Sequence, residues 1–419
     1  MSDYYDGLET YDPAAREAAL FAALPQQIAY AKAKAPYFTA LLADVAPETV
    51  TDRIGLARLP VTRKSALGDL QQTRMPFAGL AAVQTGELKS VFSSPGPIYE
   101  PQGRGLDHWR LARALHAAGF RMGDLIHICF SFHFTPAGAM IESAAQALGC
   151  PVFPGGVGFT EGQARAMADL RPAGYVGTPS FLKLILDKAR KDDIDVSSVT
   201  KALVSGEALP QALRDDIAAY GVNVLQCYAT AELGLIAYET SGPQGVCEGM
   251  VVAEDIIVEI VTPGTGDPVA EGEIGEVLVT VPTKEYPLIR FATGDLSAYL
   301  PGLSPCGRSN VRIKGWMGRA DQSTKVKGMF IRPEQVAQVV AGFEAVHKGR
   351  LIVERIDGVD VMTLNCEVPT ESMNDSDGLA NAVAQALREE CRLKGRVALV
   401  PTGSLANDGK VIEDRRELA

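Results

Sequence analysis

The spacing of the apolar positions changes character three times along the chain. From about Pro13 to Val45 they recur at helical period (Leu20, Leu24, Ile28, Ala31, then Tyr37 to Leu41), with interruptions expected at Pro25 and Pro36. Between Asp107 and Tyr228 short apolar runs alternate with amphipathic stretches. The pattern predicts helices at 107–119, 137–148, 161–170, 180–190 and 209–220, and strands at 124–131, 150–154, 174–177, 200–205 and 222–228. Such βα alternation implies a largely parallel sheet covered by helices. After Glu239 the text turns β-rich: VVAEDIIVEIV (251–261) and IGEVLVTV (274–281) flank the turn-formers Pro263 to Asp267, as a hairpin requires. The last stretch reads strand 324–327, helix 333–342, strands 350–355 and 359–367, helix 377–391 and strand 396–400, the split-βαβ order. The predicted fold is α/β: a large N-terminal domain (1–320) with a parallel sheet and a β-subdomain, then a small α+β domain (321–419).

Length agrees with this division, because 419 residues exceed what one hydrophobic core organises. With 47% hydrophobic and 22% charged residues the chain is neither disordered nor membrane-spanning in composition. A net charge of −11 with no basic stripe argues against nucleic acid. Seven scattered cysteines without a CxxC pair read as buried thiols of a reducing compartment. The acidic start, MSDYYDGLETYDPAARE, lacks a signal-peptide pattern, and no apolar run reaches the ~18 residues of a membrane helix. A cytoplasmic protein is expected, with no membrane partner; a homodimer is the prior for such enzymes.

Four stretches carry candidate chemistry. In Tyr228–Ala229–Thr230–Ala231–Glu232, after the strand VNVLQC, a hydroxyl two residues before a carboxylate can ligate Mg²⁺ and touch phosphate, or simply cap a helix. In RFATGDL (290–296), Asp295 follows a Gly turn and can accept two ribose hydroxyls, or close a turn between strands. Gly318–Arg319–Ala320–Asp321, followed by Lys325–Val326–Lys327–Gly328, has the composition of a hinge. In Asn407–Asp408–Gly409–Lys410 the lysine either delivers a compact positive charge or is a solvated surface lysine.

In this order and at these separations the four resemble the adenylate-forming superfamily, most closely its phenylacetate–CoA ligase branch. SGEALP (205–210), TKEYPLIRF (283–291) and PCGR (305–308) suggest the branch. The resemblance implies a two-step reaction: a carboxylic acid attacks the α-phosphate of ATP, giving an acyl adenylate, and coenzyme A then displaces AMP. It implies that Lys410 bridges the carboxylate and the α-phosphate, that Thr230 contacts phosphate and that Glu232 holds Mg²⁺. Gly206, Glu207, Tyr228 and Ala229 would line the adenine slot, and Asp295 with Arg319 would bind the ribose. Asp321 would be the pivot that removes Lys410 and brings the Lys325–Gly328 loop to the thiol. Phe132, His133 and Phe134 sit where the branch keeps aromatic pocket residues, which favours an aromatic acid; core packing is the other reading of these rings.

Three departures stand out. Ser304 and Met250 or Val251 replace ligands of a zinc site that some members carry, leaving Cys247 and Cys306, so no zinc is expected. Ala292 removes an arginine of the branch text. The phosphate loop is shortened to SSPGPIYE (93–100): Ser93, Ser94 and Gly96 remain as donors, Pro95 and Pro97 remove two N–H groups, and Glu100 adds a carboxylate of the wrong sign. An acyltransferase-like enzyme using preformed acyl adenylate or acyl-CoA, and a non-catalytic binder of AMP or CoA thioesters, are the competing readings.

Overall fold

A computed structural model describes residues 3–94, 97–320, 324–327, 329–331, 333–356, 358–369, 376–405 and 411–416. The chain forms two compact units, Met1–Trp316 and Met317–Leu418.

The first unit opens on a helix, Pro13–Lys34, that runs through Pro25 without the expected interruption. Asp12 caps it by accepting from the Ala15 N–H at 2.9 Å. Phe21, Leu24, Ile28 and Ala31 form one buried stripe on both sides of the proline, so packing overrides the lost backbone bond. The break does fall at Pro36, where the helix Pro36–Leu41 begins.

Among the described residues the main sheet has nine strands. Its parallel part runs, in spatial order, Val152–Phe153, Ile126–Cys129, Gly174–Gly177, Lys201–Val204 and Asn223–Thr230. Successive residues alternate between two cores. Ile126, Ile128, Val176, Leu203 and Leu225 face one, with the helix Ala137–Leu148. Cys129, Tyr175, Ala202, Val204 and Val224 face the other, with the helices Thr160–Leu170 and Pro179–Lys191. Both faces are therefore covered, as short all-apolar strands predict.

Three expectations are corrected here. The helix expected at 107–119 shortens to Ala112–Ala117: Asp107 and Arg110 take positive φ, and the Asp107 carboxylate accepts from the Leu111 and Ala112 N–H groups at 2.9 Å. A strand that was not expected, Gly234–Tyr238, pairs antiparallel with Asn223–Thr230. The single strand expected over 251–261 is two. Met250–Val252 extends the main sheet, whereas Ile257–Val261 joins a second sheet with Gly275–Thr280, Phe291–Ser297 and Thr62–Arg63. Glu254 parts them, buried against Arg113 at 2.9 Å and the Tyr238 hydroxyl at 2.8 Å.

The second unit carries a four-stranded sheet, ordered Arg396–Pro401, Val359–Val368, Lys348–Ile356 and Ile412–Asp414. The helices Pro333–Ala341 and Ser376–Cys391 bury Val336, Val339, Val383 and Leu387 with Leu351, Val353 and Leu364. The split-βαβ expectation needs one correction. Thr324–Val326 pairs with Met329–Ile331 in its own hairpin, and the three-residue strand Ile412–Asp414 takes the sheet edge. Among the described residues no helix is long and apolar enough to cross a membrane.

Candidate nucleotide and acyl site

A cavity of about 210 Å³ opens just beyond the carboxyl ends of the parallel strands. Phe130, Ser205 and Gly206 follow strand ends directly, and Ala229, Thr230 and Ala231 close a further side. Its floor is aliphatic: Leu111, Met140, Ile141, Val176 and Leu203. The strand Ile126–Cys129 lies between Val152–Phe153 and Gly174–Gly177, so strand order reverses beside the cavity, where open α/β sheets place ligands. Gly206 has φ +80°, a conformation that suits glycine as the chain turns off its strand.

Tyr228–Glu232 occupies the end of a strand and the turn of a β-hairpin; no helix follows, so the helix-cap reading falls away. Thr230 pairs with Gly234 across the turn, and the Thr230 hydroxyl accepts from the Leu233 N–H at 3.3 Å. Trp109 and Arg110 brace the turn from behind. The Trp109 indole donates to the Ala231 carbonyl at 3.2 Å, Arg110 donates to that of Leu233, and Leu235 N–H donates to Trp109 at 2.9 Å.

Asp295 is buried with both oxygens already engaged. Oδ2 accepts from the Tyr228 hydroxyl at 2.8 Å and Oδ1 from the Trp316 indole at 3.0 Å. Thr293 accepts from the Asp295 N–H at 3.0 Å and donates to the Val277 carbonyl at 3.0 Å. Trp316 was not singled out from sequence; its indole lies 21 residues from its partner, with no local signal to mark it.

The described residues of SSPGPIYE lie on two paired strands. Ser90–Ser94 pairs with Ile98–Gln102, Ser94 opposite Ile98, and Pro95 and Gly96 lie outside the described residues. Ser93 N–H donates to the Phe134 carbonyl at 2.8 Å, tying this strand pair to the loop after Ile126–Cys129. Ser94 lines the cavity and donates to Glu100. Glu100 is fully buried; burial and then the Glu232 charge push its carboxyl up to about 8, while Ser94 and Lys64 pull the other way. Burial thus favours its neutral form, which opposes the wrong-sign charge expected there. Glu232, with a fully buried side chain, is ion-paired to Lys64 at 2.8 Å and 3.0 Å. Lys64 follows the strand Thr62–Arg63, which pairs with Phe291–Ser297, so the strand that carries Asp295 also fixes this lysine.

The other expected residues scatter. Phe132, His133 and Phe134 are not among the cavity's lining residues: Phe132 packs against the core under Gly138, whereas His133 and Phe134 are exposed. Phe134 takes φ +60°, and Phe130 supplies the ring that reaches the cavity. Glu207 is exposed; its carboxylate accepts from Ser180 and its carbonyl from Gln226. Arg319 belongs to the second unit. Lys325 lies in the strand Thr324–Val326. Asp321, Gly328 and Lys410 lie outside the described residues. Cys247 and Cys306 both flank Gly242, and the Ser304 hydroxyl sits 3.1 Å from Cys306 Sγ. Among the described residues no group of three or more His, Cys, Asp or Glu side chains gathers for a metal.

A doubly wound sheet with an apolar cavity at its switch point is where α/β proteins hold small ligands. Comparison with known proteins narrows the class. Residues 109–284 match the AMP-binding enzyme family and residues 328–416 its C-terminal domain. The chain is 30% identical to a phenylacetate–coenzyme A ligase of Thermus thermophilus, covering 90% of this chain and 87% of the relative. It is also 30% identical to that of Escherichia coli, over 88% and 85%. A solved 2-hydroxyisobutyryl-CoA ligase shares the fold, with a TM-score of 0.80 at 24% identity over 100% of this chain and 93% of that one. The chain belongs to the AMP-binding enzyme family of adenylate-forming acid–CoA ligases, and is phenylacetate–CoA ligase-like over most of its length.

Proposed function

We propose that this chain activates a small, apolar, ring-bearing carboxylic acid as its acyl adenylate and passes the acyl group to coenzyme A. The observation that carries the reading is the cavity: aliphatic with one aromatic face, and bounded at its mouth by Gly206, Ala229 and Thr230 of the nucleotide motifs. At about 210 Å³ it falls below the roughly 300 Å³ at which drug-sized pockets begin, which suits a single ring.

In this reading Asp295 and Arg319 hold the ribose, Gly206, Glu207, Tyr228 and Ala229 border the adenine, and Thr230, Ser93 and Ser94 meet phosphate oxygens. Lys410 brings positive charge to the attacking carboxylate and the α-phosphate, where two anions meet and charge builds. Asp321 serves as the hinge at a 320/321 boundary, and Lys325 and Gly328 serve the thiol step. The oxygen donors at Glu232, Thr230 and Ser94 suit Mg²⁺, and Lys64 against Glu232 is a protein cation at the same carboxylate. Mg²⁺ there would neutralise phosphate charge. A homodimer completes the proposal and is read by sedimentation.

The test incubates the protein with ATP, Mg²⁺, coenzyme A and a panel of aryl, branched and hydroxy acids, with AMP and thioester detected by mass. Aryl acids are expected to give both products. Thioester from hydroxylated acids alone would contradict the acid class. The second reading, use of a preformed acyl adenylate, draws on the phosphate-side carboxylates being engaged by Ser94 and Lys64; it predicts thioester from synthetic adenylate but no AMP from ATP.

A further inference from the structure

Beside the cavity, buried polar groups outnumber the partners that the chain gives them. Glu100 is fully buried; its Oε1 accepts from Ser94, and its Oε2 has no hydrogen-bond partner. Tyr286 is 2% exposed and its hydroxyl is likewise unpartnered. Burial and the charges of Glu232 and Glu100 dominate the surroundings of that phenol, with Tyr37 a weaker neighbour. Buried polar atoms without partners are rare, and each calls for a water, ion or ligand. Lys64 shows that a cation fits: its ammonium spans both oxygens of Glu232. Glu232 and Lys64 are also the charged groups that act on Glu100.

We propose that Glu100 is a second protein ligand, beside Glu232, for the divalent cation of adenylate formation, and that Lys64 leaves Glu232 when the cation arrives. The inference rests on the ligase reading above. Mg²⁺ is commonly held by one or two carboxylates together with water and substrate phosphates, which is the donor set that Glu100, Glu232 and a triphosphate make. The arrangement also explains a loop in which Pro95 and Pro97 remove two N–H donors: a cation fixed by two carboxylates supplies the positive charge that the loop backbone no longer provides. The glutamate in SSPGPIYE then assists phosphate binding.

The test titrates the full chain with Mn²⁺ by electron paramagnetic resonance, without nucleotide and then with ATP. Wild type is expected to bind one Mn²⁺ per chain before nucleotide is added. Glu100→Gln should weaken that binding by roughly tenfold or more. Lys64→Met, which removes the competing ammonium, should tighten it, and Mn²⁺ should raise the thermal midpoint of this variant more than that of wild type. Wild-type affinity in Glu100→Gln, no Mn²⁺ binding to wild type without nucleotide, or unchanged or weaker binding in Lys64→Met each overturns the proposal. Calorimetry with AMP in the absence of metal separates the two failures. AMP binding alongside any of those results removes this inference alone, whereas a wild-type chain that does not bind AMP removes the ligase reading itself.

Discussion

The two ends of the proposed nucleotide site are built on opposite principles. At the proposed ribose end one buried carboxylate, Asp295, is held by neutral donors, the Tyr228 hydroxyl and the Trp316 indole. At the proposed phosphate end are two buried carboxyls, Glu100, whose neutral form burial and the Glu232 charge favour, and Glu232, paired with Lys64. On the proposed reading, hydrogen bonds from neutral donors orient the first end, whereas the second gives up the Lys64 ion pair when its cation arrives, so AMP recognition and triphosphate recognition would be separable properties.

The largest expected effect follows from the role proposed for Lys410. Lys410→Ala should slow adenylation by about a thousandfold, the scale of losing a donor at developing charge, while AMP affinity stays near wild type. Single-turnover AMP formation measures the first and calorimetry the second. Next is the ribose end: Asp295→Ala should weaken AMP by roughly ten- to a hundredfold, as loss of charge-assisted hydrogen bonds predicts, and Trp316→Phe by only a few-fold. Equal losses in the two variants would mean that the indole, not the carboxylate, carries the contact.

The phosphate end is exposed by pH. Burial and the Glu232 charge raise the Glu100 carboxyl from 4.5 to about 8. A carboxyl that holds its proton more tightly when folded makes stability fall as pH climbs from the unfolded to the folded value. Wild type should therefore lose stability relative to Glu100→Gln between about pH 4.5 and pH 8, with little further divergence above. Urea unfolding at stepped pH reads this, and a constant gap would refute it. The smallest effect is at His133: exposed and off the cavity lining, it should tolerate alanine with thioester formation within about twofold.

Strands such as Gly174–Gly177 and Lys201–Val204 were legible because short apolar runs between amphipathic helices have few other solutions. Gly234–Tyr238 was not, because Gly-Leu-Ile-Ala-Tyr follows the preceding strand after a three-residue turn and reads as its continuation. The apolar run at 251–261 conceals a break that Glu254 makes with Arg113, an ion pair invisible to local pattern. At the candidate site, Tyr228, Glu232 and Asp295 could be singled out from short stretches. Their partners were not: Lys64 pairs with Glu232 across 168 residues, and Glu100 read alone was an unfavourable charge. The loop at 130–134 misled for a simpler reason. An aromatic run signals apolar surface but not direction, and the chain turns Phe134 outward at positive φ while Phe130 faces the cavity.

Acid-dependent exchange of pyrophosphate into ATP addresses the central claim most directly, because it requires both ends of the site and the acyl cavity in a single turnover. The account predicts exchange with small ring-bearing acids in the presence of Mg²⁺, lost in Lys410→Ala. No exchange with any acid from a protein that still binds AMP would contradict it.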